Sequence, residues 1–107
     1  MALPELKPPS QCEGMADIRA QIDEIDEEVI ALLGKRAAYV RAAAPFKSSA
    51  GDVRAPERFA AMLQQRRQWA QREGLSADVI EKLYRDLVEY FIAREMEEWQ
   101  HAGSHER

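Results

Sequence analysis

Five branched apolar side chains recur in the first third of the chain at helical intervals. They are spaced by four, three, four and three residues, at Ile18, Ile22, Ile25, Val29 and Leu32. This spacing places all five on one stripe of an α-helix and excludes the two-residue alternation of a half-buried strand. Pro45 then ends or kinks the helix, because proline cannot donate the helical hydrogen bond. The pattern predicts a first helix over residues 16–44.

Two further helices are predicted from their end signals. Pro56 occupies a favoured first helical position, and Gly74 stops this second helix. Ser76 caps a third helix that runs to about Gln100. The second helix presents an apolar face of Phe59, Met62, Leu63, Trp69 and Ala70. The third presents Ile80, Leu83, Tyr84, Leu87, Val88, Phe91, Ile92 and Trp99. No segment predicts a strand, so the predicted fold class is all-α.

Three segments lack an apolar period. Residues 1–13 contain three prolines, and we expect them to be flexible, as we do residues 102–107. Residues 46–54 hold a Ser/Gly/Asp-rich stretch that we interpret as a mobile connector able to act as a lid. The folded part is therefore expected to be one helical domain over residues 14–101.

The first helix is long for so small a protein. It would span roughly 43 Å, whereas a compact domain of this size has a radius of gyration of about 13 Å. Its apolar seam would be a large exposed patch if a single chain left it in water. We therefore predict that a second copy covers it in an intertwined homodimer.

The composition of the chain argues against several classes of function. Fifteen basic and nineteen acidic residues give a net charge of −4, which disfavours nucleic acid as a partner. No run approaches the ~18 apolar residues of a membrane span or resembles a signal peptide, so we expect a cytoplasmic protein. Cys12 is the single cysteine, and no metal, nucleotide or nucleophile motif occurs. We expect neither a metal nor a cofactor.

Charged residues interrupt the predicted apolar stripes at three places. Arg36 follows Ile25 by eleven residues and shares its helical face, Lys47 lies eleven residues further on beyond Pro45, and Glu95 follows Phe91 by four. Arg36 either pairs with an internal carboxylate or clamps an anion, and Lys47 is equally a solvated lysine or a pocket amine. Glu95 is either the partner of an arginine or an acid of a site.

Two more arginines are unremarkable by position, Arg58 in the first turn of the second helix and Arg19 beside the seam. Arg19 and Arg36 are seventeen residues apart, about 25 Å on one helix, too far to hold one small ligand. A site that uses both must be built from two protomers. Such a cationic pocket would suit a small polyanion whose reaction needs positioning and charge stabilisation without covalent participation.

Ordered segments of the chain resemble a known family. They are Cys12–Asp23, Gly34–Val40, Phe46–Ser48, Ala55–Leu63 and the ending Phe91–Glu95 with Trp99. Together they resemble the all-helical chorismate mutases and, within them, the isochorismate-pyruvate lyases. The resemblance implies an intertwined dimer with two sites, a small dicarboxylate substrate (isochorismate or chorismate) and a pericyclic reaction.

Residue roles follow from the same resemblance. It implies that Arg19 is donated across the dimer to one substrate carboxylate and that Arg36 clamps the other. Lys47 is implied to bond a carboxylate and the breaking ether oxygen, with Arg58 nearby. Apolar pocket walls are implied at Val40, Met62, Phe91 and Ile92.

Glu95 departs from the family pattern, in which many members place a glutamine that donates to the ether oxygen. A carboxyl group donates only when it is protonated, so the pH optimum depends on Glu95. Three hypotheses stay open: a lyase, a mutase using the same pocket, and a non-catalytic helical dimer that binds a metabolite or a partner protein.

Overall fold

The computed structural model describes the backbone of residues 6–105 and the side chains of residues 6–98. It contains four α-helices, α1 (Met15–Ala43), α2 (Ala50–Arg54), α3 (Pro56–Arg72) and α4 (Ala77–His105). Short 3-10 turns occur at Pro9–Gln11 and Ala44–Phe46, and the described backbone contains no strand. The predicted all-α fold with three long helices is confirmed. Across the described residues, no helix is both long enough and apolar enough to cross a membrane.

The chain divides into two compact units, residues 1–39 and residues 40–107. In the first unit, part of the segment predicted to be flexible contacts the start of α1. The Lys7 backbone N–H donates to Gln21 Oε1 (2.9 Å), and its amine bonds Asp17 (3.0 Å). Asp17 also accepts from the Glu13 N–H, and these bonds lower the pKa of Asp17, the Glu13 bond contributing most. Residues 7–13 are thus attached to the first turns of the helix.

Helix α1 begins and ends within one residue of its predicted bounds, but none of its residues is buried. The five seam side chains remain between 37% and 49% exposed in the single chain. In proteins most of a helix's stability comes from packing of its apolar face, and in the single chain this face of α1 is left largely exposed.

In the second unit, α3 and α4 pack against each other and bury Met62, Leu63 and Ala70. The turn between them has a local chemical cause. Gly74 adopts φ +76°, and the Leu75 N–H donates to the Ala70 carbonyl (2.8 Å), which closes a Schellman motif.

Local signals set the ends of α3 and α4 as predicted. Pro56 is the first residue of α3. Ser76 Oγ accepts from the Val79 N–H (3.2 Å) and caps α4. The predicted end at Gln100 is wrong, because α4 continues through Gly103 to His105. The side chain of Trp99, which we placed on the apolar stripe, lies outside the described residues.

The connector after α1 also differs from its prediction. Residues 46–54 are not irregular throughout, because Ala50–Arg54 form α2, which packs against α4 and buries Val53. Ser49 caps this helix by accepting from the Asp52 N–H (3.1 Å). The Ser-x-x-Asp spacing is a capping signature that could have indicated the helix from sequence.

Candidate active site

Lys47 and Glu95 meet in the second unit. Lys47 follows the Ala44–Phe46 turn in an extended conformation, and its own N–H donates to the Ala44 carbonyl (3.1 Å). Its amine reaches α4 and donates to Glu95 Oε2 at 2.5 Å. The two side chains are only 22% and 11% exposed. Sequence reasoning singled out both residues, but it proposed an arginine as the structural partner of Glu95, and the partner found is a lysine.

This pair has a defined chemistry. A carboxylate only accepts hydrogen bonds, whereas a protonated carboxyl group also donates one. In the pair as it stands, each charge satisfies the other. An anion bound beside them would compete with Glu95 for the ammonium group. The site can therefore present two donors to one ligand oxygen once Glu95 holds a proton.

The four residues predicted as apolar walls lie in this unit, on α1, α3 and α4. Met62 is buried, and Val40, Phe91 and Ile92 are half-buried. The Phe91 ring packs edge-on against Tyr90, with ring centroids 5.2 Å apart. Phe91 stands one helical turn before Glu95, on the same face of α4. Their role as pocket walls stays a prediction.

The three arginines predicted at the site form no ion pair with a described residue. Arg58 is exposed in the first turn of α3 and pairs with no described residue. In the first unit, Arg19 is exposed and Arg36 is half-buried on α1. Neither forms an ion pair with a described residue, so each guanidinium is available to a ligand. Their assignment to a common site with Lys47 stays a prediction.

A cavity of about 590 Å³ also lies in the second unit. Of the predicted site residues only Ile92 lines it, so it differs from the space around Lys47 and Glu95. Its other walls include Phe59, Leu63 and Met96, and charged groups come from Arg54, Arg85 and Glu89. Sequence analysis missed those three, because they occupy ordinary polar positions of their helices. Within the described residues, no group of three or more His, Cys, Asp or Glu side chains is placed to hold a metal ion.

Asp52 is a further residue that sequence analysis did not single out. Its Oδ2 accepts from both the backbone N–H (2.9 Å) and the hydroxyl (2.8 Å) of Ser48, the residue after Lys47. These bonds lower the pKa of Asp52, the backbone bond from Ser48 contributing most, and Lys47 adds a smaller effect in the same direction. The Asp52 carboxylate therefore stays ionised at a lower pH than the carboxylate of an ordinary aspartate does.

Comparison with known proteins identifies related chains. Residues 18–96 match the family described as chorismate mutase type II. An isochorismate pyruvate lyase from Pseudomonas aeruginosa is 43% identical over 95 residues, which cover 89% of this chain and 94% of that protein. T-proteins from Haemophilus influenzae and Enterobacter agglomerans are 40% and 39% identical over 84 and 72 residues. Those matches cover 78% and 66% of this chain but only 22% and 19% of the T-proteins.

Proposed function

Because the chain belongs to the type II chorismate mutase family, we propose that it cleaves isochorismate to salicylate and pyruvate, with chorismate mutase activity in the same pocket. A chain of this family that matches an enzyme along nearly its whole length is an enzyme of the same type. The observation that carries the lyase assignment is the 43% identity to the Pseudomonas aeruginosa lyase over 94% of that protein.

The chemistry of such a reaction fits the residues at the site. In a pericyclic cleavage the enolpyruvyl ether bond breaks while negative charge gathers on its oxygen, and no covalent enzyme intermediate forms. Donors aimed at that oxygen bind the transition state more tightly than the substrate. Lys47 supplies one donor and protonated Glu95 the second. The hydrogen bond between Lys47 Nζ and Glu95 Oε2 places both groups side by side and supports the assignment.

The remaining roles complete the proposal. Arg36 clamps one carboxylate of the substrate, and Arg58 stands near the site entrance. Apolar walls from Val40, Met62, Phe91 and Ile92 hold the ring and keep water out. The reaction needs neither metal nor cofactor, since positioning and charge stabilisation are sufficient for it.

The proposal includes an intertwined homodimer in which Arg19 of the partner subunit reaches the second carboxylate. The exposed α1 seam supports it: every residue from Ile18 to Leu32 on that stripe is at least 37% exposed in the single chain. Burying apolar surface releases about 25 cal/mol per Å², so a second copy that covered the seam would gain substantial stability. The helical domain over residues 14–101 is part of the same proposal.

One experiment tests the function directly. The purified full chain is incubated with isochorismate and, separately, with chorismate, while salicylate fluorescence and prephenate formation are followed. We expect salicylate and pyruvate from isochorismate at a higher kcat/KM than prephenate from chorismate, and we expect Lys47→Ala to suppress both. No turnover of either compound would contradict the proposal and leave a non-catalytic helical dimer as the better hypothesis.

The second candidate function is chorismate mutase as the main activity. The description of the matched family favours it, and both substrates carry the same enolpyruvyl ether and two carboxylates. Prephenate formation without salicylate formation in the assay above would select this candidate.

A further inference from the structure

The Asp52 side chain accepts hydrogen bonds from Ser48, the residue next to Lys47. In a standard capping box, the side chain three residues into the helix returns to the backbone N–H of the cap residue itself. Ser49 is the cap residue of α2, yet the main hydrogen bonds of the Asp52 carboxylate are with Ser48, one residue earlier, and the Ser49 N–H contributes less. Ser48 directly follows Lys47, so the carboxylate fixes the peptide unit that leaves the lysine.

The other end of this segment is anchored. Val53 is only 5% exposed, and α2 packs against α4, the helix that carries Glu95. Ala55 closes α2 in a left-handed conformation (φ 38°), with its N–H donating to the Gly51 carbonyl at 2.7 Å. Asp52 therefore connects an anchored helix to the backbone beside Lys47.

We propose that Asp52 is a positioning residue for Lys47: by holding Ser48 it keeps the lysine backbone in the one conformation from which the amine reaches Glu95 and the ligand. The inference rests on the proposed function. Asp52 bonds neither the amine nor Glu95 in the structure, and it acts only through Ser48. With its backbone fixed, Lys47 has only its side-chain rotamers left to order when the amine binds a ligand.

Two neighbouring substitutions separate positioning from simple capping of α2. Asp52→Ala removes both bonds to Ser48, whereas Ser49→Ala removes the side-chain cap and leaves those bonds in place. Misplacing a catalytic group by about 1 Å costs up to about a hundredfold in rate. We expect Asp52→Ala to lower kcat roughly ten- to a hundredfold with a smaller change in KM. Asp52→Asn retains an acceptor oxygen and should restore most of kcat, and Ser49→Ala should remain near wild type.

A double substitution makes the test specific for Lys47. In a Lys47→Ala chain there is no amine left to position, so adding Asp52→Ala should reduce kcat no further. Additive losses would overturn the inference, as would a wild-type kcat in Asp52→Ala. Circular dichroism of each variant verifies that the helices are retained.

A measurement without substrate distinguishes failure of this inference from failure of the proposed function. Backbone 15N relaxation of Ser48 is recorded for the wild-type chain, Asp52→Ala and Ser49→Ala. We expect the Ser48 amide to gain mobility only in Asp52→Ala. An equally rigid Ser48 in that variant overturns the inference even if the enzyme is active. If the wild-type chain turns over neither substrate, the function fails while the relaxation result still decides whether Asp52 orders this segment.

Discussion

At the residue scale, the proposed mechanism depends on the Lys47–Glu95 pair. Separating two paired charges at a site that is largely shielded from solvent is costly unless a new partner replaces one of them. In the proposed mechanism, the dianionic substrate becomes the new partner of Lys47, and Glu95 supplies the second donor in its protonated form.

The two cations should differ in their kinetic effect. Lys47→Ala should lower kcat by about 10²–10³, because one donor to the charge of the transition state is lost. Arg36→Ala should also raise KM, since its proposed contact with a substrate carboxylate exists before the reaction. Steady-state kinetics with isochorismate measure both. Arg72→Ala, at an exposed position paired only with the adjacent Glu73, is the matched control and should leave kcat and KM unchanged.

The pH profile should depend on Glu95. Only the protonated carboxyl group donates to the ether oxygen, so the wild-type kcat should fall as rising pH ionises Glu95. Glu95→Gln supplies a donor at every pH and should flatten this alkaline limb. Glu89→Gln, an exposed change on the same helix, should retain it. A Glu95→Gln profile identical to that of the wild type would remove Glu95 from the mechanism.

The sequence indicates which charged residues deserve attention, but it does not indicate how they pair. Arg36, Lys47 and Glu95 are singled out because they interrupt apolar periodicity. The contact between Lys47 and Glu95 joins residues 48 positions apart, and it depends on how the segment after Pro45 packs on α4. Periodicity carries no information on that packing, so of the two interpretations of Glu95 the structural one named an arginine where the structure has a lysine.

At the element scale, local chemistry accounts for most helix ends. Each end signal acts on the backbone of its own turn. The predictions made from Pro56, Gly74 and Ser76 are confirmed. Helix α2 was missed because five residues are too few to show a 3.6-residue period. The end of α4 is misplaced because the helix runs through Gly103, a residue type that often follows a helix end.

The turn between α3 and α4 gives a stability prediction. Gly74→Ala should lower the free energy of unfolding by about 1 kcal/mol, since a side chain disfavours the left-handed conformation. A Cβ at this position would meet no atom within 4 Å, so the cost comes from the backbone alone.

Gly51→Ala is the matched control for that prediction. Its Cβ would lie 3.6 Å from Ser49 Oγ, an ordinary contact, in a helical residue. The substitution should therefore be neutral or stabilising by a few tenths of a kcal/mol. Urea denaturation of both variants measures the difference, and equal losses would contradict a backbone origin.

At the scale of the whole molecule, the exposed α1 seam and the distance between Arg19 and Arg36 lead to the same proposal. One helix cannot bring both guanidinium groups to one small ligand, because they lie about 25 Å apart along its axis. Two chains can do so if each lends Arg19 to the other.

Mixing two inactive variants tests this exchange. Arg19→Ala and Lys47→Ala chains are refolded together in equal amounts. Each mixed dimer would contain one site with both native residues, so roughly a quarter of the wild-type activity should return if the chains pair at random. Each variant refolded alone is the control and should stay inactive. Absence of recovery, with mixed dimers demonstrated by differentially tagged chains, would contradict a shared site.

The Schellman turn at Gly74 has a consequence for the order of folding. It joins two helices that are adjacent in sequence, so their mutual contacts close only short loops and can form within microseconds to milliseconds. The α3–α4 hairpin can thus assemble first, whereas in the proposed dimer the seam of α1 is buried only after two chains meet. Refolding should accordingly show a rapid phase that is indifferent to dilution, followed by a slower one that accelerates as chains become more concentrated.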